Sequence, residues 1–272
     1  MANSVNTNVG ALIALQNLNS TQEELAKTQT RINTGKRVAS AKDNGAIWAI
    51  AQNQRATSGS LNSVRESLQR GQSTVEVAIS AGETISDLLL QLKEKTLAAA
   101  DAGLDSTSRT ALNDEFKSLL SQITKAVVNA EFNGGNLVKQ GGTVIKALAN
   151  ADATSVITVL AQTLTLTALS LATSSISTKT LASAAIGVVN AAIISVSSKL
   201  SKLGTGSKAL GSHLTFVSKL QDTIDAGIGN LVDADLAKES AKLQALQTKQ
   251  QLGIQALSIA NQSSSILLGL FR

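Results

Sequence analysis

The sequence of 272 residues contains no proline. A chain of this length and average composition would contain about 13 prolines. Each proline inside a helix removes one backbone donor and clashes with the preceding turn. Long unbroken helices are therefore permitted everywhere in this chain, and the spacing of the apolar residues decides where they form.

Apolar residues recur at helical spacing through most of the chain. Residues three, four or seven positions apart lie on one face of a helix, so this pattern predicts amphipathic helices. The predicted helices cover residues 3–32, about 46–102, about 106–130, 181–228 and about 233–272. The pattern thus predicts a mainly α-helical protein.

Local signals indicate where these helices begin and end. Gly35 can adopt the left-handed conformation that terminates a helix, and the segment 36–44 after it is predicted to be an irregular connector. Trp48 follows the connector and is predicted to anchor this junction by packing. Ser106 or Ser108 is predicted to be the N-cap of the third helix.

The pattern changes between residues 141 and 178. Apolar and β-branched residues alternate with Ser or Thr in the segments 156–160 and 164–171. An alternation of period two predicts strands. The predicted fold class is therefore mainly α, with a helical core domain that carries a small β-hairpin insertion at about 141–178.

Both ends of the sequence carry apolar stripes. In the first predicted helix the stripe comprises Val5, Val9, Leu12, Leu15, Leu18, Leu25 and Ile32. At the other end, the final residues include Leu267, Leu268, Leu270 and Phe271. Terminal residues of a self-contained domain are usually polar and poorly ordered. We therefore expect assembly with other chains to bury both stripes.

The residue types that most catalytic sites need are scarce. The sequence contains one histidine, His213, and no tyrosine or cysteine. No carboxylate lies three or four positions from His213, so it is interpreted as an ordinary helix residue. Residues 204–209 and Gly35-Lys36 match fragments of nucleotide-binding motifs, but they lack the strand or the flanking residues that such motifs require. We expect no enzyme activity, no cofactor and no metal.

The net charge of +5 is distributed along the chain. Only Lys36 and Arg37 are adjacent cations, and aromatic residues for base stacking are scarce, so nucleic-acid binding is not expected. The longest weakly charged stretch, residues 147–178, is interrupted by Asn150 and Asp152, which is unlike a membrane span. Membrane insertion is not expected either.

Three segments share features with one known family. Residues 18–43 carry an unbroken motif that includes Arg31, Gly35, Arg37, Ser40, Ala41 and Asp43. Residues 131–134 read Glu-Phe-Asn-Gly after the third predicted helix, and the last segment contains Ala260, Asn261, Gln262, Leu268, Leu270 and Arg272. Together they resemble the N-terminal signature, the F-N-G turn and the C-terminal ending of bacterial flagellin, in its short form without large outer domains.

The resemblance implies a structural subunit that self-assembles into the flagellar filament for swimming motility. Residues 1–45 would pair with 234–272 as an inner, discontinuous coiled-coil domain, and residues 46–233 would form the helical core domain. Export through the flagellar type III apparatus would make the protein secreted and extracellular. The implied partners are copies of the same chain, an export chaperone, and the filament cap and hook-junction proteins. Other flagellin paralogues are compatible as further partners.

The stripes and the resemblance together single out residues for subunit packing. These are Leu12, Leu15, Leu18, Leu25, Arg31, Ile32, Gly35, Arg37, Asp43, Leu243, Leu246, Ile254, Leu257, Asn261, Gln262, Leu267, Leu268, Leu270, Phe271 and Arg272. Two alternatives remain compatible with the sequence. One is a hook-filament junction protein, which shares the terminal design, and the other is a secreted helical binding module.

Overall fold

The computed structural model of the protein describes residues 7–270, with the side chains of residues 7–262. This part of the chain forms the helices and strands α1 (Val9–Thr34), α2 (Gly45–Ala99), α3 (Ser106–Asn129), β1 (Ile145–Leu148), β2 (Val156–Val159), α4 (Lys179–Val232) and α5 (Leu236–Leu270). The mainly helical fold and the five helices predicted from the sequence are confirmed within it. Residues 1–6, which include Val5, and residues 271–272 lie outside the described residues.

Contacts divide the described chain into two units. The terminal unit contains residues 7–56 and 223–270, and the central unit contains residues 57–222. As predicted, Gly35 ends α1: it takes a positive φ of 66° and forms the C-cap of the helix. At the other end of α1 the Asn8 side chain accepts a hydrogen bond from the Ala11 amide.

The N-cap of α3 was predicted incorrectly. Asp105, and neither Ser106 nor Ser108, precedes the helix, and its carboxylate accepts a hydrogen bond from the Ser108 amide at 2.9 Å. The Ser108 hydroxyl donates to the same carboxylate. A carboxylate at this position also interacts favourably with the helix dipole, which explains why it is preferred to the neighbouring serines.

The second helix ends earlier than predicted, at Ala99. The guanidinium of the buried Arg109 donates hydrogen bonds to the carbonyl oxygens of Ala99, Asp101 and Leu104. The last carbonyls of a helix need such partners. A residue ten positions further along the chain therefore caps α2, and helical spacing alone gives no sign of it.

The insertion contains one two-stranded antiparallel sheet, in which Ile145 pairs with Val159 and Leu148 with Val156. The second predicted strand, over 164–171, is wrong: this segment forms turns. Within the segment the Leu171 amide donates to the Leu166 carbonyl oxygen, and the Leu164 amide donates to the Val138 carbonyl oxygen. Leu164, Leu169 and Leu171 are nevertheless buried, because burial can be reached without a neighbouring strand to pair with.

The core of the central unit is filled by large apolar side chains. Those that are completely or almost completely buried include Leu61, Leu68, Ile85, Leu89, Leu92, Phe116, Ile123, Val189, Val196 and Leu203. The helices approach closely at Gly82, where a Cβ would lie 2.6 Å from Leu200 Cδ2. The hairpin is held by the Ser67 hydroxyl, which accepts from the Leu148 amide, and by His213, whose Nε2 lies 2.7 Å from the Ala149 carbonyl oxygen.

Among the described residues, α4 is the one helix whose length and apolar composition would allow it to cross a membrane. Long core helices of globular proteins meet the same two criteria. In this chain the inward side chains of α4, such as Val189 and Leu203, are buried in the central unit. Because 28% of the most apolar window of α4 is buried within the subunit, its role in the core accounts for part of its apolar composition.

Candidate assembly surface on the terminal helices

Helices α1 and α5 pack against each other in antiparallel orientation. Near one end Asn8 Nδ2 donates a hydrogen bond to the Ala260 carbonyl oxygen at 2.7 Å. In the middle, a Cβ on Gly253 would lie 3.3 Å from Leu18 Cδ1. Residues further along α1 contact residues nearer the beginning of α5, so the two helices run in opposite directions.

The contact between α1 and α5 follows a heptad repeat. The buried and half-buried positions, here called the seam, alternate in steps of three and four: Ala11, Ala14, Leu18, Thr21, Leu25, Thr28 and Ile32 on α1, and Glu239, Leu243, Leu246, Gln250, Gly253, Leu257 and Ala260 on α5. This spacing is characteristic of coiled coils. The seam therefore pairs the two ends of the chain along most of the length of α1.

Several seam positions are polar or small. Thr21 and Thr28 are buried, and the Thr21 hydroxyl donates to the Asn17 carbonyl oxygen, so that its polar group is satisfied within the helix. Arg31 donates to Glu239 Oε1 at 2.9 Å, which forms an ion pair between the helices. These seam threonines and Glu239 were missed by the sequence analysis. A search for heptad spacing that also counted threonine and glycine would have found Thr21, Thr28 and Gly253, whereas Glu239 carries no such signal.

A second set of apolar side chains on the same helices points away from the seam. This outward set consists of exposed residues: Val9, Leu12, Ile13, Leu15, Leu252, Ile254 and Ile259. Leu12 is 57% exposed and Leu252 is 59% exposed. The single stripe predicted on the first helix is therefore wrong in one respect: it joined residues of two faces, since Leu18, Leu25 and Ile32 belong to the seam.

The structure places the other residues predicted for subunit packing as follows. The seam contains Leu18, Leu25, Ile32, Leu243, Leu246 and Leu257. The outward set contains Leu12, Leu15 and Ile254. The exposed polar positions are Arg37, Asp43, Asn261 and Gln262. Leu267, Leu268 and Leu270 belong to α5, but their side chains are outside the described part. Phe271 and Arg272 lie outside the described residues.

The connector after α1 is bound to the turn between α4 and α5. The Arg37 and Val38 amides donate to the Val232 carbonyl oxygen at 2.7 and 3.2 Å, and the Ala234 amide donates to the Gly35 carbonyl oxygen at 2.9 Å. The Arg37 guanidinium adds a hydrogen bond to the Leu231 carbonyl oxygen. The connector is irregular, as predicted, but it is fixed by backbone bonds.

A small apolar cluster closes the same junction. Val38, Ala51, Ile228 and Val232 are buried together, and Trp48 packs against them. The prediction that Trp48 anchors the junction by packing is confirmed. The cluster holds the beginning of α2 and the end of α4 together, at the junction where α1 ends and α5 starts.

Asp43 organises the connector from within. Its Oδ2 accepts hydrogen bonds from the Ala39 amide at 3.1 Å, the Ser40 amide at 3.0 Å and the Ser40 hydroxyl at 3.2 Å. The hydrogen bond from the Ser40 amide is the main cause that lowers the pKa of Asp43 below its ordinary value. The ionised carboxylate thus holds the loop that leads from α1 to α2.

The geometry of the terminal helices points to contacts between chains. No group of three or more His, Asp or Glu side chains in the described part of the chain could hold a metal ion. What the described terminal helices offer is a coiled coil with a second, exposed apolar set. These features define a class, that of helical structural subunits whose paired ends can pack against further copies.

Comparison with known proteins identifies the family within this class. The family model for the bacterial flagellin N-terminal helical region matches residues 5–143, and the model for the C-terminal helical region matches residues 186–271. Flagellin FljM of Caulobacter vibrioides is 62% identical over 271 residues, which cover 99% of both chains. This chain belongs to the bacterial flagellin family, and as such it is a structural subunit of the flagellar filament.

More distant relatives agree. Flagellin FljJ of Caulobacter vibrioides is 43% identical over 100% of this chain and 99% of its own. The flagellin of Brucella melitensis is 37% identical over 99% of both chains. The crystal structure of Bacillus cereus flagellin superimposes with a TM-score of 0.52 at 18% identity, over 56% of this chain and 88% of that one, and so supports the fold.

Proposed function

We propose that this chain polymerises with copies of itself into a helical filament for swimming, and that the outward set on α1 and α5 supplies the contacts that hold the terminal coiled coils together. The observation that carries this proposal is the exposure of seven large apolar side chains on helices that already have a seam. Exposed apolar groups of this kind mark interaction surfaces. Their role here is structural and not catalytic.

The gain from burying the outward set is large enough to drive assembly. Complete burial of one Val, Leu or Ile side chain contributes about 1.5–3 kcal/mol, and a half-exposed side chain has about half of that left to gain. Several such side chains in each subunit offset the entropy lost on association. Contacts that join different surfaces of successive copies, and do not close into a ring, generate a helical polymer.

A groove on the terminal helices could receive such a side chain. It has a volume of about 370 Å³ and lies between the helices beside Gly253, with Leu18, Leu252 and Ala256 in its lining. The groove exists because Gly253 brings no side chain to the seam. An apolar residue of a neighbouring copy can occupy this space.

We assign the inner domain of the filament to residues 1–45 and 234–272, and the surrounding domain to residues 46–233. This functional division differs from the division by contacts, at 56/57 and 222/223, because the cluster around Val38 and Val232 ties the start of α2 and the end of α4 to the terminal unit. We also propose export through the flagellar type III apparatus to the extracellular filament. Its implied partners are an export chaperone, the filament cap and the hook-junction proteins.

Co-assembly with other flagellins is part of the proposal. The two relatives FljM and FljJ are flagellins of one organism, Caulobacter vibrioides, and both match this chain over almost its full length. Similar terminal helices in several flagellins of one cell would allow them to share a filament. The same similarity gives no support to a junction protein or a binding module.

The test is polymerisation of the full chain after addition of short filament seeds, followed by sedimentation and negative-stain microscopy. The double variant Leu12→Gln, Leu252→Gln removes apolar groups of the outward set and leaves the seam unchanged. The matched control is Gln16→Ala, Gln251→Ala, at exposed polar positions of the same helices. We expect filaments from the wild type and the control, and monomers of unchanged helix content from the double variant. Filaments of normal length from the double variant would contradict the proposal.

A further inference from the structure

One face of α2 in the central unit is both acidic and apolar, and it is exposed throughout. The acidic face, as we call it, follows steps of three and four along the helix: Glu76, Ser80, Glu83, Asp87, Leu90, Glu94 and Leu97. Leu90 is 54% exposed and Leu97 is 63% exposed. At 1.5 Å per residue this face is about 32 Å long.

One face of α4 in the same unit has the opposite charge. The basic face consists of exposed residues at the same kind of spacing, with Lys202 and Phe216 beside it: Ile194, Ser198, Ser201, Thr205, Lys208, Ser212, Thr215 and Lys219. Phe216 is 55% exposed. No acidic residue occurs between Lys179 and Gln221. The face is about 38 Å long at 1.5 Å per residue, which is comparable with the acidic face.

The charges of the two faces are not neutralised by each other within the chain. The ion pairs in the described part are Arg31–Glu239, Glu66–Arg70 and Lys95–Glu115. None of them involves Glu83, Asp87, Lys202 or Lys208. Lys199 of α4 lies outside the basic face, and its ammonium donates to the Thr163 carbonyl oxygen at 2.6 Å. Glu83, Asp87, Lys202 and Lys208 are exposed and point to solvent, where another chain can reach them.

We propose that the acidic face of α2 in one subunit docks on the basic face of α4 in a neighbouring copy. This inference rests on the proposed function, because it specifies a second contact in the same polymer, separate from the terminal helices. The occupant is a second copy because the two faces match in charge sign and in length. Leu90, Leu97 and Phe216 supply apolar contact at the centre, while the lysines and carboxylates fix the pairing and orientation.

The contact joins two different surfaces of neighbouring copies, as a filament requires. The two faces lie on different helices, so a subunit that uses its acidic face on one neighbour keeps its basic face for another. Such a heterologous contact propagates and does not end at a dimer. Since both partners carry exposed charge, the contact weakens as salt screens the charges, whereas burial of the apolar outward set does not depend on charge.

The experiment is a charge swap between copies. Variant A carries Lys202→Glu and Lys208→Glu, which places carboxylates on both of its faces; variant B carries Glu83→Lys and Asp87→Lys, which places lysines on both of its faces, between Glu76 and Glu94 on α2. Each is added to wild-type seeds in low-salt buffer, alone and as an equal mixture. Two controls change the net charge equally at exposed positions outside both faces: Lys117→Glu with Lys125→Glu, and Glu131→Lys with Asp152→Lys. Filament mass and length are measured by sedimentation and microscopy.

We expect A alone and B alone to need a critical concentration at least about tenfold higher than the wild type, which corresponds to about 1.4 kcal/mol. The mixture should polymerise like the wild type with A and B alternating, since each contact between A and B joins opposite charges at the substituted positions, and the controls should polymerise normally. Recovery in the mixture also shows that both variants are folded. If A and B polymerise alone as well as the wild type, or if the mixture fails, the inference is overturned while the filament function stands. A wild type that never polymerises overturns both.

Discussion

The terminal and central units use their buried positions differently. In the central unit the core consists of large apolar side chains, for example Phe116, Leu89 and Ile85, all completely buried. The seam of α1 and α5 has few completely buried side chains, and two of its buried positions, Thr21 and Thr28, are threonines. Burial of apolar area is the main source of stability. The central unit is therefore the stable part of the subunit.

The terminal helices keep much of their apolar surface for other chains. Leu12 and Leu252 are more than half exposed although they lie on helices that are already paired. A weak seam with an exposed apolar set suits an element that becomes stable on assembly, as is common where ordering is coupled to binding. The comparison predicts that changes in the central core affect the folding of the monomer, and that changes in the seam affect the terminal helices and the filament.

The largest effect is expected from Phe116→Ala. Phe116 is completely buried in the central unit, so its truncation removes apolar contacts and leaves a cavity. A phenylalanine truncation of this kind lowers the free energy of unfolding by about 3–5 kcal/mol. Urea unfolding of the monomer, followed by circular dichroism, measures the loss. A decrease below about 1 kcal/mol would mean that the central core does not hold the subunit together.

A smaller and more local effect is expected from Leu246→Ala in the seam. Leu246 is buried against α1, and its truncation removes about 2 kcal/mol of stability from the terminal pair. We expect faster amide exchange in α1 and α5 of the dilute monomer, with exchange in the core of the central unit unchanged. In the wild-type monomer these terminal amides should already exchange faster than those of the core. Strong protection of α1 and α5, equal to that of the core, would contradict the comparison.

Local sequence signals predicted most of the fold because they act over a few residues. The absence of proline and the helical spacing located five helices, and Gly35 ended α1 as expected. The errors arose where distant residues decide. The Arg109 guanidinium binds carbonyl oxygens at the end of α2, where the helix stops earlier than predicted. In the segment 164–171 the Leu164 amide bonds to the Val138 carbonyl oxygen, and no strand forms. Neither partner is visible in the spacing of one segment.

The assembly surface was predicted less completely. The structure divides the apolar residues singled out on the terminal helices into the seam and the outward set, and the sequence did not make this division because it depends on the register between α1 and α5. That register is fixed by contacts such as Arg31–Glu239 and Leu18–Gly253, which join residues more than 200 positions apart. Threonine and glycine in a seam carry no apolar signal, although burial of Thr21 and Thr28 decides which face is inside.

The smallest effect is expected at Asp43, whose hydrogen bonds within the connector are separate from the contacts of the weak seam. The pKa of Asp43 is lowered in the folded chain, chiefly by the Ser40 amide, so the ionised form is the one that stabilises the connector. The contribution is present above the ordinary carboxyl pKa of about 4 and is lost as the pH falls through the lower, folded value. Protection of the Ala39 and Ser40 amides from exchange should therefore decrease on acidification in this range.

In Asp43→Asn the protection of the same amides should not change with pH over this range. The exposed Asp152→Asn serves as a control that keeps the wild-type profile. Equal pH profiles in wild type and Asp43→Asn would show that the carboxylate does not hold the connector, and that the backbone bonds to Val232 are sufficient.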